Sequence, residues 1–194
     1  MVQAGGPPNL LTVVREPTIE TAQALFVHPK IDLLLVTGGG GVVNAAMQAP
    51  KRVIAAGPGN PPVVVDETAD LDVAAESIVE GGGFDNNILC IGEKEVFAIS
   101  SIADELKQQL LSRKCVELDN AQIDALSREA FPTDAKGDWS LNREMVGKNP
   151  HVLAERIGLT IAPDTELLIG EVEASHNFVQ HEQMMPFIPL VRVP

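Results

Sequence analysis

The chain has 194 residues, of which 27 are acidic and 14 basic, so its formal net charge is −13. The length suits one domain or slightly more. The acidic balance excludes nucleic acid and anionic membrane surfaces as expected partners, because both select clustered Lys and Arg. No apolar run approaches the roughly 20 residues of a membrane-spanning helix. Cys90 and Cys115 are too few for a disulfide framework, which favours a reducing, cytoplasmic compartment.

The first predicted elements are short apolar runs around one amphipathic helix. A β-branched run at 10–14 predicts a strand. Thr18 can cap a helix with an apolar stripe over 19–26, which His28-Pro29 ends. The continuous apolar run 31–36 predicts a second strand of the kind that is covered on both faces. Strand, helix and strand in this order predict a βαβ unit.

Helices and strands continue to alternate along the rest of the chain. Strands are predicted at 52–56, 63–66, 95–99, 166–170 and 187–193, and helices at 42–47, 70–80 and 152–157, with two more around 102–110 and 123–130. The polar stretch 131–150 is expected to form a surface excursion. This alternation predicts an α/β fold built on parallel strands.

Helix boundaries are predicted at three places by residues with known end preferences. Gly81–Gly83 is expected to end the helix over 70–80. The pairs Ser101 with Asp104, and Asp119 with Gln122, resemble capping boxes for the next two helices.

A glycine run follows the strand 31–36 and is the first candidate binding feature. The segment Thr37-Gly38-Gly39-Gly40-Gly41 stands between a strand and a helix, where backbone N–H groups and the helix N-terminus can cradle a phosphate. It lacks the third glycine of a G-x-G-x-x-G motif. A tight turn without a ligand therefore remains an equal interpretation.

Cys90 is the second candidate, placed between a glycine-rich helix end and a strand. We expect it at the carboxyl side of an α/β element, where sites usually lie. Asn86 and Asn87 nearby could donate to an oxyanion. The alternative is a buried and inert cysteine. For Cys115 we expect a core position.

The histidines do not predict a metal site. His176 and His181 are five residues apart in a polar segment and have no cysteine pair or His-x-x-x-His spacing to support them. We expect both to be exposed loop residues and expect no metal.

Three motifs in this order resemble the aldehyde dehydrogenase superfamily. Thr37–Gly41 is similar to its cofactor-phosphate turn, and Phe84-Asp85-Asn86-Asn87-Ile88-Leu89-Cys90 resembles its active-site loop. Glu182-Gln183-Met184-Met185-Pro186-Phe187 resembles the segment whose glutamate holds the nicotinamide ribose. The resemblance implies a three-layer αβα fold, in which a parallel-sheet catalytic domain adjoins the last βαβ part of a Rossmann-like cofactor domain.

Within the superfamily, the resemblance is to the CoA-acylating branch of propionaldehyde and acetaldehyde dehydrogenases. Ala55–Pro62 stands where hydrolytic members carry a glutamate general base before a glycine pair, and alanine takes that position here. Phe84–Asn87 and Met184-Met185-Pro186 are also similar to this branch.

This resemblance implies NAD-dependent oxidation of a short-chain aldehyde to its acyl-CoA, through a thiohemiacetal and then a thioester on Cys90. Cys90 and Asn87 would be catalytic. The cofactor-binding residues would be Thr37, Gly38, Gly39, Gly40 and Glu182. NAD is the implied cofactor and coenzyme A the cosubstrate.

The resemblance also implies how the chain is organised. Residues 1–57 would be the C-terminal part of the NAD-binding domain, and 58–194 a catalytic domain truncated at its C-terminal end. The upstream cofactor-binding segments and a downstream oligomerisation arm would be absent, so we expect a homo-oligomer only for the full-length enzyme. The expected location is cytoplasmic, with a bacterial microcompartment as a more specific alternative.

Two other functions remain open from the sequence. One is a hydrolytic or phosphate-dependent enzyme of the same superfamily, in which another residue supplies the base. The other is a non-catalytic fragment that acts as an interaction or assembly module.

Overall fold

The computed structural model describes residues 1–194, which divide into two compact units, Met1–Pro58 and Gly59–Pro194. None of the helices combines the length and apolar composition needed to cross a bilayer. The helices are α1 Ile19–Val27, α2 Gly40–Met47, α3 Leu71–Gly83, α4 Ala103–Leu111, α5 Asn120–Ala130, α6 Pro150–Arg156 and α7 Asn177–Gln180. The strands are β1 Leu33–Thr37, β2 Arg52–Ala56, β3 Pro62–Val65, β4 Glu95–Ile99, β5 Cys115–Glu117, β6 Leu167–Glu171 and β7 Phe187–Val193. Two 3₁₀ turns occupy Val2–Ala4 and Phe84–Asn87.

The first unit contains a parallel pair of strands, β1 and β2, joined by α2. Leu34 of β1 and Ala46 of α2 are its buried apolar residues, so α2 covers one face of the pair. This βαβ unit starts two elements later than predicted, at the strand expected over 31–36, because the predicted strand at 10–14 does not form. Val13 is 92% exposed and the run has no neighbouring strand to pair its backbone groups.

Helix α1 begins at the predicted residue for the predicted reason. Thr18 accepts a hydrogen bond from the Thr21 backbone N–H, and the Thr21 side chain accepts one from the Thr18 N–H. Its apolar stripe is not buried: Ile19 is 74% exposed, and no residue of the helix is buried. The helix is therefore stabilised by its N-terminal capping box and has no buried apolar face.

The second unit is built on a five-stranded parallel sheet in the order β3-β4-β7-β6-β5. Its central strands β4, β7 and β6 are mostly apolar and mostly buried, with charged residues only at or near their ends, as continuous rather than alternating apolar runs predict. Leu167 and Ile169 of β6 join the cluster made with α3 and α4, whereas Leu168 joins the cluster made with α5 and α6. The sheet therefore lies between two helical layers, and the predicted αβα fold is confirmed.

Two predicted helix boundaries are wrong. Gly81–Gly83 forms the last turn of α3 instead of ending the helix before it. At Gly82 a side chain has no room, because a Cβ would lie 2.2 Å from Ile188 Cδ1. The helix thus continues because glycine lets it approach β7 closely. Ser101 forms no capping box: α4 starts at Ala103 without a side-chain cap, and Asp104 instead accepts from Arg192.

The predicted capping box at α5 is confirmed. Asp119 accepts from the Gln122 N–H at 2.9 Å, and Gln122 Oε1 accepts from the Asp119 N–H at 2.9 Å. The stretch 131–150 is irregular, as predicted, but it is not confined to the surface. Met145, at 1% exposure, belongs to the core cluster of α5 and α6.

Candidate active site

Cys90 lies in the loop between the 3₁₀ turn Phe84–Asn87 and β4, and its side chain is exposed. The loop stands at the amino end of β4, so the expectation of a carboxyl-end site is wrong for this thiol. A cavity of about 640 Å³ does lie at the other end of the sheet, where Glu171 and Arg192 line it, but it contains no cysteine. The groups that can act on the Cys90 thiol are therefore those of its own loop and of the residues that contact this loop.

Three consecutive left-handed residues form the turn that leads into this loop. Asp85, Asn86 and Asn87 have φ angles of 48°, 51° and 57°. Most side chains are strained there by about 1–2 kcal/mol per residue, and Asp and Asn are the non-glycine residues that tolerate it best. The Asp-Asn-Asn sequence thus has a backbone explanation that is independent of catalysis.

The side chain of Asn86 ties this turn to the end of the irregular stretch 131–150. Its Nδ2 donates to the Gly147 carbonyl at 3.0 Å and to Asn149 Oδ1 at 2.7 Å. The Gly147 N–H donates in turn to the Met184 carbonyl at 3.0 Å. Because both Nδ2 hydrogens are used, Asn86 holds the loop and is not free to donate to a substrate.

Lys94 is the buried cation of the site. Its side chain is fully buried, and Nζ donates to the Asn87 carbonyl and to Asn87 Oδ1, both at 2.5 Å. Burial lowers the pKa of Lys94 from 10.5 to about 8, while the negative charges of Glu182, Cys90 and Glu93 act in the opposite direction. These negative charges offset part of the cost of burying the ammonium group.

Asn87, a predicted catalytic residue, is 1% exposed. Its Nδ2 donates to the Glu93 carbonyl at 2.8 Å, and its Oδ1 accepts from Lys94. Asn87 precedes Cys90 by three residues, and its side-chain amide is directed into the loop. A role in stabilising an oxyanion stays a prediction.

Glu182 lies near Lys94, as the effect of its charge on the lysine pKa shows. Its Oε1 is buried and has no hydrogen-bond partner. Burial raises the pKa of Glu182, and both the Lys94 charge and a hydrogen bond from the Gly59 backbone oppose that rise. An unpaired buried acceptor is costly unless a donor reaches it, so this oxygen is suited to a ligand hydroxyl.

The two cysteines have opposite environments. Cys115 is buried in the core cluster at the start of β5, as predicted, and burial raises the pKa of its thiol to about 12. Cys90 is exposed. Nucleophilic thiols need access and a stable thiolate, so Cys115 is unsuited to catalysis near neutral pH.

The glycine turn belongs to the first unit. Thr37 ends β1, Gly39 precedes α2, and α2 begins at Gly40 without a side-chain cap. No atom lies within 4 Å of the positions that Cβ atoms on Gly39, Gly40 or Gly41 would take. The Val42 N–H donates to the Gly39 carbonyl and the Gly38 N–H to the Ala56 carbonyl, so the N–H groups left for an external acceptor are those of Gly39, Gly40 and Gly41.

The histidines are better packed than expected. His176 is partly buried and its Nδ1 accepts from the Phe178 N–H at 3.2 Å, which caps the short helix α7. His181 is also partly buried and stacks on Trp139 with ring centroids 4.0 Å apart. The prediction of two exposed loop histidines is wrong.

Sequence reasoning missed the buried polar residues around Lys94. Gln183 is fully buried and donates to the carbonyls of Lys94 and Phe187 at 3.1 and 2.9 Å. Asn60 Nδ2 donates to Glu95 Oε2 at 2.6 Å, and burial raises the pKa of Glu95 to about 7. The run Glu93-Lys94-Glu95 is typical of a solvated turn, so its pattern gave no sign of this burial.

A statistical description of the aldehyde dehydrogenase family matches residues 1–120. The chain is 49% identical over 195 aligned residues to acetaldehyde dehydrogenase (acetylating) EutE of Salmonella typhimurium, and the alignment covers 100% of this chain and 42% of that protein. The chain thus spans less than half the length of this curated relative.

Solved structures give the same result. A propionaldehyde dehydrogenase from the fucose utilisation microcompartment of Clostridium phytofermentans superposes with a TM-score of 0.90 at 42% identity, covering 99% of this chain and 43% of that one. The Rhodopseudomonas palustris propionaldehyde dehydrogenase, solved with bound CoA and an acylated cysteine, superposes with a TM-score of 0.88 at 40% identity, covering 99% and 43%.

Proposed function

The chain belongs to the aldehyde dehydrogenase family, and on this premise we propose that it provides the thiol chemistry of a CoA-acylating aldehyde dehydrogenase. The observation that carries the proposal is the exposed Cys90, in a loop whose turn is held by hydrogen bonds from Asn86 to Asn149 and from Lys94 to Asn87. The names of similar proteins, which include acetylating and CoA-propanoylating enzymes, support the same activity.

In this proposal, the Cys90 thiolate attacks the aldehyde carbon and forms a thiohemiacetal. The backbone N–H of Cys90 donates to the developing oxyanion. Loss of hydride from the same carbon leaves a thioester on Cys90. The fixed turn at Asn86 and Asn87 supports this step because it limits how far the thiol can move from a productive position.

The chain's residues fit a nicotinamide cofactor at two separate places. The unpaired Oε1 of Glu182 suits a ribose hydroxyl. The free N–H groups of Gly39 and Gly40 suit a phosphate, and Thr37 and Gly38 form the start of the turn that presents them. NAD, when bound, accepts the hydride. A related engineered glycolyl-CoA reductase was solved with NADP⁺, so the choice of dinucleotide is part of the proposal.

Coenzyme A is proposed as the acyl acceptor. Its thiol is a good nucleophile near neutral pH and needs no carboxylate base, which agrees with alanine in Ala55–Pro62 where hydrolytic relatives carry glutamate. The product is then an acyl-CoA, and transfer regenerates the free Cys90 thiol.

The test is to quantify both products from one reaction that contains a short-chain aldehyde, NAD and CoA. Acyl-CoA should exceed free acid, and Cys90→Ala should abolish both. The matched control is Cys115→Ala, which removes the buried thiol and should leave product formation in place. Formation of acyl-CoA by the Cys90→Ala variant would refute the proposal.

A hydrolytic reaction is the second candidate, favoured by the carboxylates near the thiol. Glu93 lies three residues after Cys90 in the same loop, and a carboxylate so close in the chain could activate water. Free acid as the main product in the presence of CoA would identify this reaction instead.

Iodoacetamide labelling distinguishes the two enzymatic functions, CoA-acylating and hydrolytic, from a non-catalytic interaction module. A reactive site thiol at Cys90 should label faster than Cys115 and be protected by aldehyde or NAD. Equal and slow labelling of the two cysteines would favour the module.

The domain roles and the cellular setting are also proposals. Residues 1–57 are proposed as the end of a cofactor-binding domain and 58–194 as the thiol domain. We further propose that the complete enzyme is a homo-oligomer acting on a short-chain aldehyde in the cytoplasm. The microcompartment origin of a similar structure supports a microcompartment as the more specific location.

A further inference from the structure

Lys94 is a fully buried lysine that the proposed reaction does not use. We infer that Lys94 is a positioning residue: its ammonium group fixes the Asn87 turn and thereby sets the place and reactivity of the Cys90 thiol. This inference rests on the proposed function for its meaning. The reactivity of the Cys90 thiol, however, can be measured without catalysis.

Lys94 connects three segments of the site. Its Nζ donates to two acceptors on Asn87, which is three residues before the thiol. Its backbone N–H donates to the Pro61 carbonyl at 3.0 Å, and its carbonyl accepts from Gln183 Nε2 at 3.1 Å. One residue therefore links the thiol loop to the segment that precedes β3 and to the segment that carries Glu182.

The two bonds from Nζ explain how the turn keeps its unusual conformation. Asn87 has a φ of 57°, and its carbonyl and Oδ1 are both held by the same cation. Hydrogen bonds from a charged donor are about twice as strong as neutral ones. Without the ammonium group, two buried acceptors would lose their donor, and an unpaired buried acceptor is destabilising.

The charge has a second effect that packing cannot reproduce. Cys90, Glu182 and Glu93 all act on the Lys94 ammonium as negative charges. The ammonium group thus puts a buried positive charge at the turn that leads to Cys90, held against the Asn87 carbonyl and Asn87 Oδ1. A methionine would fill nearly the same space, but it would supply neither the donors nor the charge.

The experiment measures the second-order rate of iodoacetamide labelling at Cys90, read by mass spectrometry of its peptide. We expect Lys94→Met to slow labelling by at least about ten-fold. The matched control is Lys107→Met: Lys107 is an ion-paired, partly buried lysine whose partners Glu117 and Glu171 lie at the carboxyl ends of the strands. This variant should label at the wild-type rate.

A purely structural role is distinguished by two further variants. Gln183→Met removes a buried polar contact to the Lys94 backbone but keeps the ammonium, so it should slow labelling much less than Lys94→Met. Lys94→Ala should regain labelling when ethylammonium is added, and tetramethylammonium at the same ionic strength should not replace it. Rescue by a small primary ammonium ion is not expected if only packing was lost.

Asn87→Gly keeps the inference falsifiable if the Lys94 variants do not fold. Glycine accepts the positive φ, removes one of the two acceptors and leaves the lysine in place. We expect labelling of Cys90 to slow in this variant as well. Wild-type labelling in a folded Lys94→Met or Asn87→Gly variant would overturn the inference. Failure of the proposed function would appear separately, as acyl-CoA formation without Cys90.

Discussion

Replacing Glu95 by glutamine should remove a large part of the pH dependence of the chain's stability. Glu95 is 7% exposed at the start of β4, and its Oε2 accepts from Asn60 Nδ2 at 2.6 Å. Burial raises the pKa of its carboxyl from 4.5 to about 7. Between these two pH values the folded chain holds a proton that the unfolded chain has released. Stability therefore falls as the pH rises through this window.

The size of the effect follows from the shift in pKa. One pKa unit corresponds to about 1.4 kcal/mol, and most of the interval from 4.5 to about 7 is crossed between about pH 5 and pH 8. The wild-type chain should lose about 2–3 kcal/mol of unfolding free energy from Glu95 across this range. Glu95→Gln keeps an acceptor for Asn60 and does not ionise, so this loss should disappear.

The assay is urea unfolding of wild type and variant at several pH values, compared as the difference between their unfolding free energies. That difference should move in favour of the variant as the pH rises. Glu76→Gln is the matched control, because Glu76 lies exposed on α3 and loses no buried charge. Parallel stability curves for wild type and Glu95→Gln would refute the reasoning that Glu95 is a buried, weakly acidic carboxyl.

Three other substitutions test packing and capping. Gly82→Val should destabilise the chain by about 1–3 kcal/mol in urea unfolding, because its Cβ would meet Ile188 Cδ1 at 2.2 Å; an unchanged midpoint would contradict the close approach of α3 to β7. Asp119→Ala should lower the unfolding free energy by about 1 kcal/mol in the same assay, because the α5 cap is lost. A loss below a few tenths of a kcal/mol would show that this cap does not stabilise the chain. Asn149→Ala should increase hydrogen exchange of the loop after Asn86 without changing exchange in α5, whereas equal protection would show that this bond does not hold the loop.

The sequence predicted the framework of the fold well, because each element carried a local signal. The apolar runs of β4, β6 and β7 were continuous, and Asp119 with Gln122 had the spacing of a capping box. The failures came where tertiary contacts decided the outcome. Gly81–Gly83 has the composition of a helix end, but Ile188 needs the space that glycine leaves beside α3. No local pattern contains that information.

The candidate site was predictable only in part for the same reason. Cys90 and Glu182 could be selected from motifs, whereas Lys94 stands between two glutamates in a run that usually lies in solvent. The contact of Asn86 with Asn149 joins residues 63 apart in sequence. Such contacts depend on how the irregular stretch 131–150 returns to the loop, and neither propensity nor periodicity specifies that path.

The motif that most strongly suggested chemistry is explained first by backbone geometry. Three successive left-handed residues require side chains that tolerate positive φ, which Asp85, Asn86 and Asn87 do. The amides of Asn86 and Asn87 are then used to fix the turn from two sides, through Asn149 and through Lys94. Substitutions in this motif should therefore alter thiol reactivity through loop geometry before they remove any group that contacts substrate. For this reason, reactivity of the Cys90 loop has to be measured apart from turnover before Asn87 can be assigned a catalytic role.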